Sequence, residues 1–248
     1  MLPLAVVRLS RRGSGFCTMN SVRKAETPPH PASVDVDSFL AAVKKMPVAS
    51  GEGRLVFAMD ATMSRQPTWD SALSIQGQMF MEAKKVGGLT VQLVYFRGFN
   101  ECKASGWVKD PTALANLMTK VDCRGGNTQI GRVLTHVKSA AAKTKVNAVI
   151  FVGDACEENV DGLCQAAGEI GLLGVPLFMF QEGTDGVAER AFREIAKLTR
   201  GAYFRLDSGS PKILAELLGA VAAYAAGGKQ ALQSNTSGAA RALLSQLK

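Results

Sequence analysis

Arg54-Leu55-Val56-Phe57-Ala58-Met59 runs without a break into Asp60-Ala61-Thr62-Met63-Ser64, and this stretch decides the fold. Its first half is almost wholly apolar, as expected of a strand covered on both faces. Its second half places an oxygen-bearing side chain at every other position. In an extended loop, residues i, i+2 and i+4 point the same way, so Asp60, Thr62 and Ser64 are expected to face one point.

Working outward, apolar runs and amphipathic segments alternate. Leu89–Phe96 is β-branched and aromatic and reads as a strand. Glu101–Val108 reads as a short edge strand. Ala148–Val152 (AVIFV), Val175–Phe180 and Ala202–Leu206 read as further strands. Between them, Trp69–Lys85, Pro111–Lys120, Gln129–Lys143, Glu157–Gly171, Val187–Thr199 and Pro211–Ala226 have helical spacing. This alternation predicts βαβ units. The fold class is a doubly wound, Rossmann-like α/β sandwich with a mostly parallel six-stranded sheet and one short edge strand. With strand order 3-2-1-4-5-6, ligands sit between the first and fourth strands, at their carboxyl ends. Asp60 follows the first strand and Asp154 follows the fourth. Topology therefore brings the two carboxylates together.

Thr128, in Gly125-Gly126-Asn127-Thr128, adds a hydroxyl from a third loop. Two carboxylates and three hydroxyls make a hard-oxygen set suited to Mg²⁺ or Mn²⁺. Carboxylates ~5 Å apart would repel by roughly 3 kcal/mol at an effective dielectric near 20, and a dication removes that conflict. The hydroxyls add no charge, so the ion stays electrophilic and able to take a carboxylate from a partner.

Asp60-Ala61-Thr62-Met63-Ser64 resembles the D-x-S/T-x-S motif of the von Willebrand factor A (VWA) domain family. Gly126-Asn127-Thr128-Gln129-Ile130 is similar to its glycine-threonine loop. Val149-Ile150-Phe151-Val152-Gly153-Asp154 and Gly201-Ala202-Tyr203-Phe204 resemble its later strands, and the likeness covers about Gly53–Ala226. The resemblance implies a metal-ion-dependent adhesion site (MIDAS). Asp60, Thr62, Ser64 and Thr128 would be direct or water-mediated ligands, and Asp154 a ligand through water. It also implies a protein partner with an exposed acidic residue. Thr62 stands where serine is commoner, and Gly153 and Ala155 stand where threonine and glycine are frequent.

Plainer readings compete. Asp154-Ala155-Cys156-Glu157 looks like a capping box, Thr128 could cap a helix at Gln129, and Asp60 could close a turn. A metal-assisted phosphoester hydrolase would use the same oxygens with Glu157 or Glu158 as base. Asp35-Val36-Asp37 fits helix-start charge better than a phosphatase loop. His30 and His136 have no nucleophile motif near them, and neither Walker A nor a strand-linked G-x-G-x-x-G occurs. Arg190, Arg193, Lys197 and Arg200 form a basic stripe on one helix face, interrupted by Glu189 and Glu194. The stripe reads as a solvated face, or alternatively as an anion-binding or nucleic-acid surface.

The chain has 248 residues, 47% hydrophobic, and a net charge of +8 with pI about 9.4. An RNA-binding module is thus a further reading. Arg8, Arg11 and Arg12 precede Met19, and a start there would remove them and leave +5. Residues 1–33 read as a disordered basic leader, 34–52 as a helix (Asp37–Met46) and linker, and 53–228 as the VWA-like domain. Residues 229–248 read as a polar tail with a weak helix. Cys17, Cys102, Cys123, Cys156 and Cys164 are odd in number and lack C-x-x-C spacing. Free thiols and a cytoplasmic location are expected, or an organellar one if the Arg/Ser-rich leader is a transit peptide.

Overall fold

The computed structural model describes residues 53–66, 89–206, 211–233 and 237–247. The leader with Met19 and His30, the helices expected at Asp37–Met46 and Trp69–Lys85, and Asp35 and Asp37 lie outside them.

Strand β1 (Gly53–Asp60) is buried along nearly its whole length. Its parallel neighbours are β2 (Leu89–Arg97) and β4 (Ala148–Gly153). Beyond them lie β3 (Glu101–Val108), antiparallel to β2, and β5 (Leu177–Glu182) followed by β6 (Ala202–Leu206), both parallel. The order is β3-β2-β1-β4-β5-β6, the doubly wound order expected from the sequence.

Period-2 alternation splits the core in two. Leu55, Phe57 and Met59 face a cluster built with α1 (Pro111–Met118), α5 (Pro211–Gln233) and α6 (Gly238–Gln246). Val56 and Ala58 face a cluster built with α2 (Ile130–Lys143), α3 (Val160–Leu172) and α4 (Gly186–Leu198). The helices present the spacing this requires: Ile130, Val133, Leu134 and Val137 form the buried face of α2. No helix among the described residues is long and apolar enough to cross a membrane.

The carboxy-terminal helices follow the expected positions. Gly228 (φ 67°) interrupts the helix, as its glycine pair leads one to expect, and helical residues resume and run on to Gln233. The weak helix expected within the polar tail is α6, and its Ala239, Ala240 and Leu243 are buried in the first core cluster. Small residues give a weak periodic signal, yet they let a helix approach closely enough to bury its face.

Ile150, fully buried at the centre of β4, tests this packing. Ile150→Ala is expected to lower the unfolding free energy by about 2–5 kcal/mol, read by urea denaturation.

Candidate metal centre at the carboxyl ends of β1 and β4

Asp60 is the last residue of β1 and is fully buried. Its Oδ1 accepts the Thr62 N–H at 2.7 Å, so the turn reading of Asp60 is partly right. The motif is not extended throughout, however. Thr62 precedes a 3₁₀ turn, Met63–Arg65. The turn, rather than strand alternation, brings Thr62 Oγ1 within 3.0 Å of Ser64 Oγ. The chain stays extended through Thr62, where Ala61 is held on both sides: its N–H donates to Phe96 O at 2.9 Å and its C=O accepts from Arg124 N–H at 3.0 Å.

Asp154 lies two residues past Val152, the register partner of Met59. Helix α3 begins only at Val160, and its cap is Asn159, whose side chain accepts from Gly162 N–H at 2.9 Å. The capping-box reading of Asp154 is thereby corrected, and Cys156 lies in this loop rather than on the helix with Cys164. Capping fails there because the chain stays irregular through Asn159.

Thr128 is tied to the Asp154 loop by a reciprocal pair. Its N–H donates to Glu157 Oε2 at 3.0 Å, and its Oγ1 accepts from Glu157 N–H at 3.0 Å. It does not cap α2; Gln129 occupies that position and makes no side-chain cap bond. Glu158 supplies the cap instead, accepting from Ile130 N–H and, at 2.9 Å, from Gly131 N–H. Gly126 packs so tightly on Gly98 that a Cβ there would lie 2.0 Å from the Gly98 carbonyl oxygen. Only glycine lets this loop close onto the β2–β3 turn.

The electrostatics mark the same place. Burial pushes Asp60 up to about 6 from its ordinary 3.8; bonds from Thr62 oppose the rise, and the charge of Asp154 adds to it. Asp60 Oδ2 and Asp154 Oδ1 are buried and accept no hydrogen bond from the described residues. Orphaned anionic oxygens beside neutral hydroxyls fit a hard dication. No three His, Cys, Asp or Glu side chains cluster among the described residues, so these two carboxylates carry the anionic share of the site.

Sequence reasoning missed Arg65, the largest fully buried side chain among the described residues. Its Nη1 donates to Val152 O at 3.2 Å and Asp60 O at 3.5 Å, and its Nη2 pairs with Glu182 Oε1 at 2.9 Å. It stitches β1, β4 and β5 together beneath the site. Its charge lowers the Asp60 value least among the resolved causes. Arg97 was missed too. It holds the Asp122 carbonyl at 2.9 Å and Glu101 at 3.0 Å, fixing the loop before Thr128. Position directly after Ser64 was the only hint for Arg65; nothing local to the sequence signals its burial.

The other singled-out residues lie away from the carboxylates. His136 Nε2 lies 2.9 Å from Gln92 Oε1. The four described cysteines are free, and burial raises the Cys123 thiol to about 11. Arg193, Lys197 and Arg200 line one cleft, and Arg190 is exposed outside it.

This arrangement of sheet and helices has the VWA fold. The chain superposes on the von Willebrand factor type A protein from Catenulispora acidiphila with a TM-score of 0.59 at 16% identity, over 71% of this chain and 43% of that one. It therefore spans less than half of that relative. The SpRpn10 VWA domain matches with a TM-score of 0.54 at 11% identity, over 63% of this chain and 89% of that one. Proximal thread matrix protein 1 from the mussel byssus, in a structure with a zinc-occupied MIDAS motif, matches at 0.54 and 16% identity, over 71% and 47%. No family model and no curated protein matches the sequence.

Because the folded chain holds the Asp60 proton more tightly than the unfolded one, its stabilising share is complete below 3.8 and lost as pH rises through about 6. The loss is on the order of 3 kcal/mol. Asp60→Asn is expected to stabilise the chelator-treated protein by that order near pH 7.5 and to change little near pH 4, read by urea unfolding at both.

Proposed function

We propose that the chain is a divalent-metal-dependent protein-interaction module. Asp60, Thr62, Ser64, Thr128 and Asp154 hold Mg²⁺ or Mn²⁺, and the cation captures an acidic side chain of a partner. The observation that carries this reading is the pair of buried, unpartnered carboxylate oxygens on Asp60 and Asp154. The ion supplies Lewis acidity at an open coordination position. The chain's own residues orient it. Thr62 and Ser64 converge through the 3₁₀ turn, Glu157 holds Thr128, and Arg65 braces the floor. The zinc-occupied MIDAS of the byssus protein supports the choice of a divalent metal. Free thiols support a reducing compartment, and a cytoplasmic location belongs to the proposal.

A hydrolase on the same oxygens is less well supported. Its candidate bases are engaged: Glu157 accepts from Thr128 N–H, and Glu158 from Ile130 and Gly131 N–H.

Asp60→Ala and Asp154→Ala are expected to abolish Mg²⁺ binding by calorimetry, and with it chelator-sensitive capture of acidic partners, while circular dichroism stays unchanged. Mg²⁺ affinity in the wild type should fall as pH drops through about 6, where protons compete for Asp60. Unchanged Mg²⁺ affinity in both variants would overturn the assignment.

A further inference from the structure

The last turn of α4, the start of β6 and the last turn of α6 enclose a cleft that the metal reading does not use. Its volume is about 290 Å³, and Arg193, Lys197, Arg200, Tyr203, Ser245 and Gln246 line it. Three cations thus meet in one concave space of the size at which small-ligand sites begin.

The cations are held differently. The Arg193 guanidinium lies 4.2 Å from the Tyr203 ring centroid, which fixes its plane, and Glu189 accepts from its Nε at 2.9 Å. Lys197 stands 3.5 Å from Glu194. Arg200 makes no ion pair with a described carboxylate. Gln246 Oε1 accepts the Tyr203 N–H at 2.9 Å, which leaves its NH₂ as a neutral donor beside the Ser245 hydroxyl.

The backbone of Arg200 is a second, independent observation. Its φ of 57° is left-handed, and no other described non-glycine residue has a positive φ. Arg200 N–H donates to Lys197 O at 3.2 Å and Gly201 N–H to Ala196 O at 2.8 Å. This bond pair closes a helix with one left-handed residue, a position that ordinarily takes glycine. The turn itself therefore favours glycine over arginine, and what arginine adds is its side chain in the cleft.

We propose that this cleft binds a phosphate monoester dianion. A guanidinium presents paired N–H donors that match phosphate oxygens, so Arg200 clamps the anion, while Arg193, whose Nε and Nη2 are held by Glu189, and Lys197 add positive charge beside it. The small volume selects a compact phosphorylated group. A soluble sugar phosphate and a phosphatidate headgroup share this chemistry.

The test is titration of the full chain, with chelator present, by ribose 5-phosphate, by ribose, and by phosphatidylcholine vesicles with or without phosphatidic acid. Ribose 5-phosphate or phosphatidate vesicles should bind, and whichever does identifies the source; ribose and plain vesicles should not. Arg200→Gly should weaken binding by at least about tenfold, as loss of a charge-assisted hydrogen bond does. The same variant should keep or raise the thermal midpoint, because it relieves the left-handed strain. Arg190→Ala, outside the cleft, should bind like the wild type. The proposal is overturned by no phosphate-dependent binding in the wild type, by wild-type binding in Arg200→Gly, by a lowered midpoint in that variant, or by equal losses in Arg200→Gly and Arg190→Ala.

Discussion

A carboxylate taken out of water needs a cation, a proton or several hydrogen-bond donors. Asp60 is fully buried, and the Thr62 N–H reaches only one of its two oxygens. Its place is dictated by the sheet. β1 lies between β2 and β4, so the end of β1 is enclosed on both sides, and the neighbouring strand delivers Asp154 to the same rim. The buried guanidinium nearby relieves Asp60 only slightly. Arg65 donates to the carbonyls of Asp60 and Val152 and pairs with Glu182. What remains is an anionic pocket at the switch point of a doubly wound sheet, where such folds place their ligands.

The loops around this pocket are fastened to one another rather than merely adjacent. Glu157 and Thr128 exchange two hydrogen bonds, and Glu158 closes the amino terminus of α2. Negative charge at a helix amino terminus is favourable, so the acidic pair stabilises α2 while holding the Thr128 hydroxyl in place. A site that presents its oxygens before an ion arrives gives up less conformational freedom on binding. The close approach of Gly126 to Gly98 completes the frame on the β2 side. Fold likeness to VWA domains describes the scaffold; the proposed function rests on these particular oxygens.

Much of the fold was legible in the sequence because its signals are local. Continuous apolar runs marked β1 and β4, and turn residues separated them from helices of regular period. Their alternation was enough for the layer architecture, and the order common to doubly wound sheets supplied the strand order. The motif order likewise made Asp60, Thr62, Ser64, Thr128 and Asp154 visible as one set of oxygen donors. A boundary was weaker where polar residues dominate, as at Asn159, and the burial of α6 left little trace among its small residues.

The sequence by itself thus determined the chemistry available at the rim: which residues carry hard oxygens, and that they follow buried strands. Tertiary structure alone decided how those groups are used. It placed the Arg65 charge in the core, bent Thr62 and Ser64 together through a 3₁₀ turn, tied Glu157 to Thr128, and turned Glu158 into the cap of a helix 27 to 28 residues away. The reason is physical. Apolar periodicity is written into neighbouring residues, whereas burial of a charge depends on partners that only long-range packing supplies.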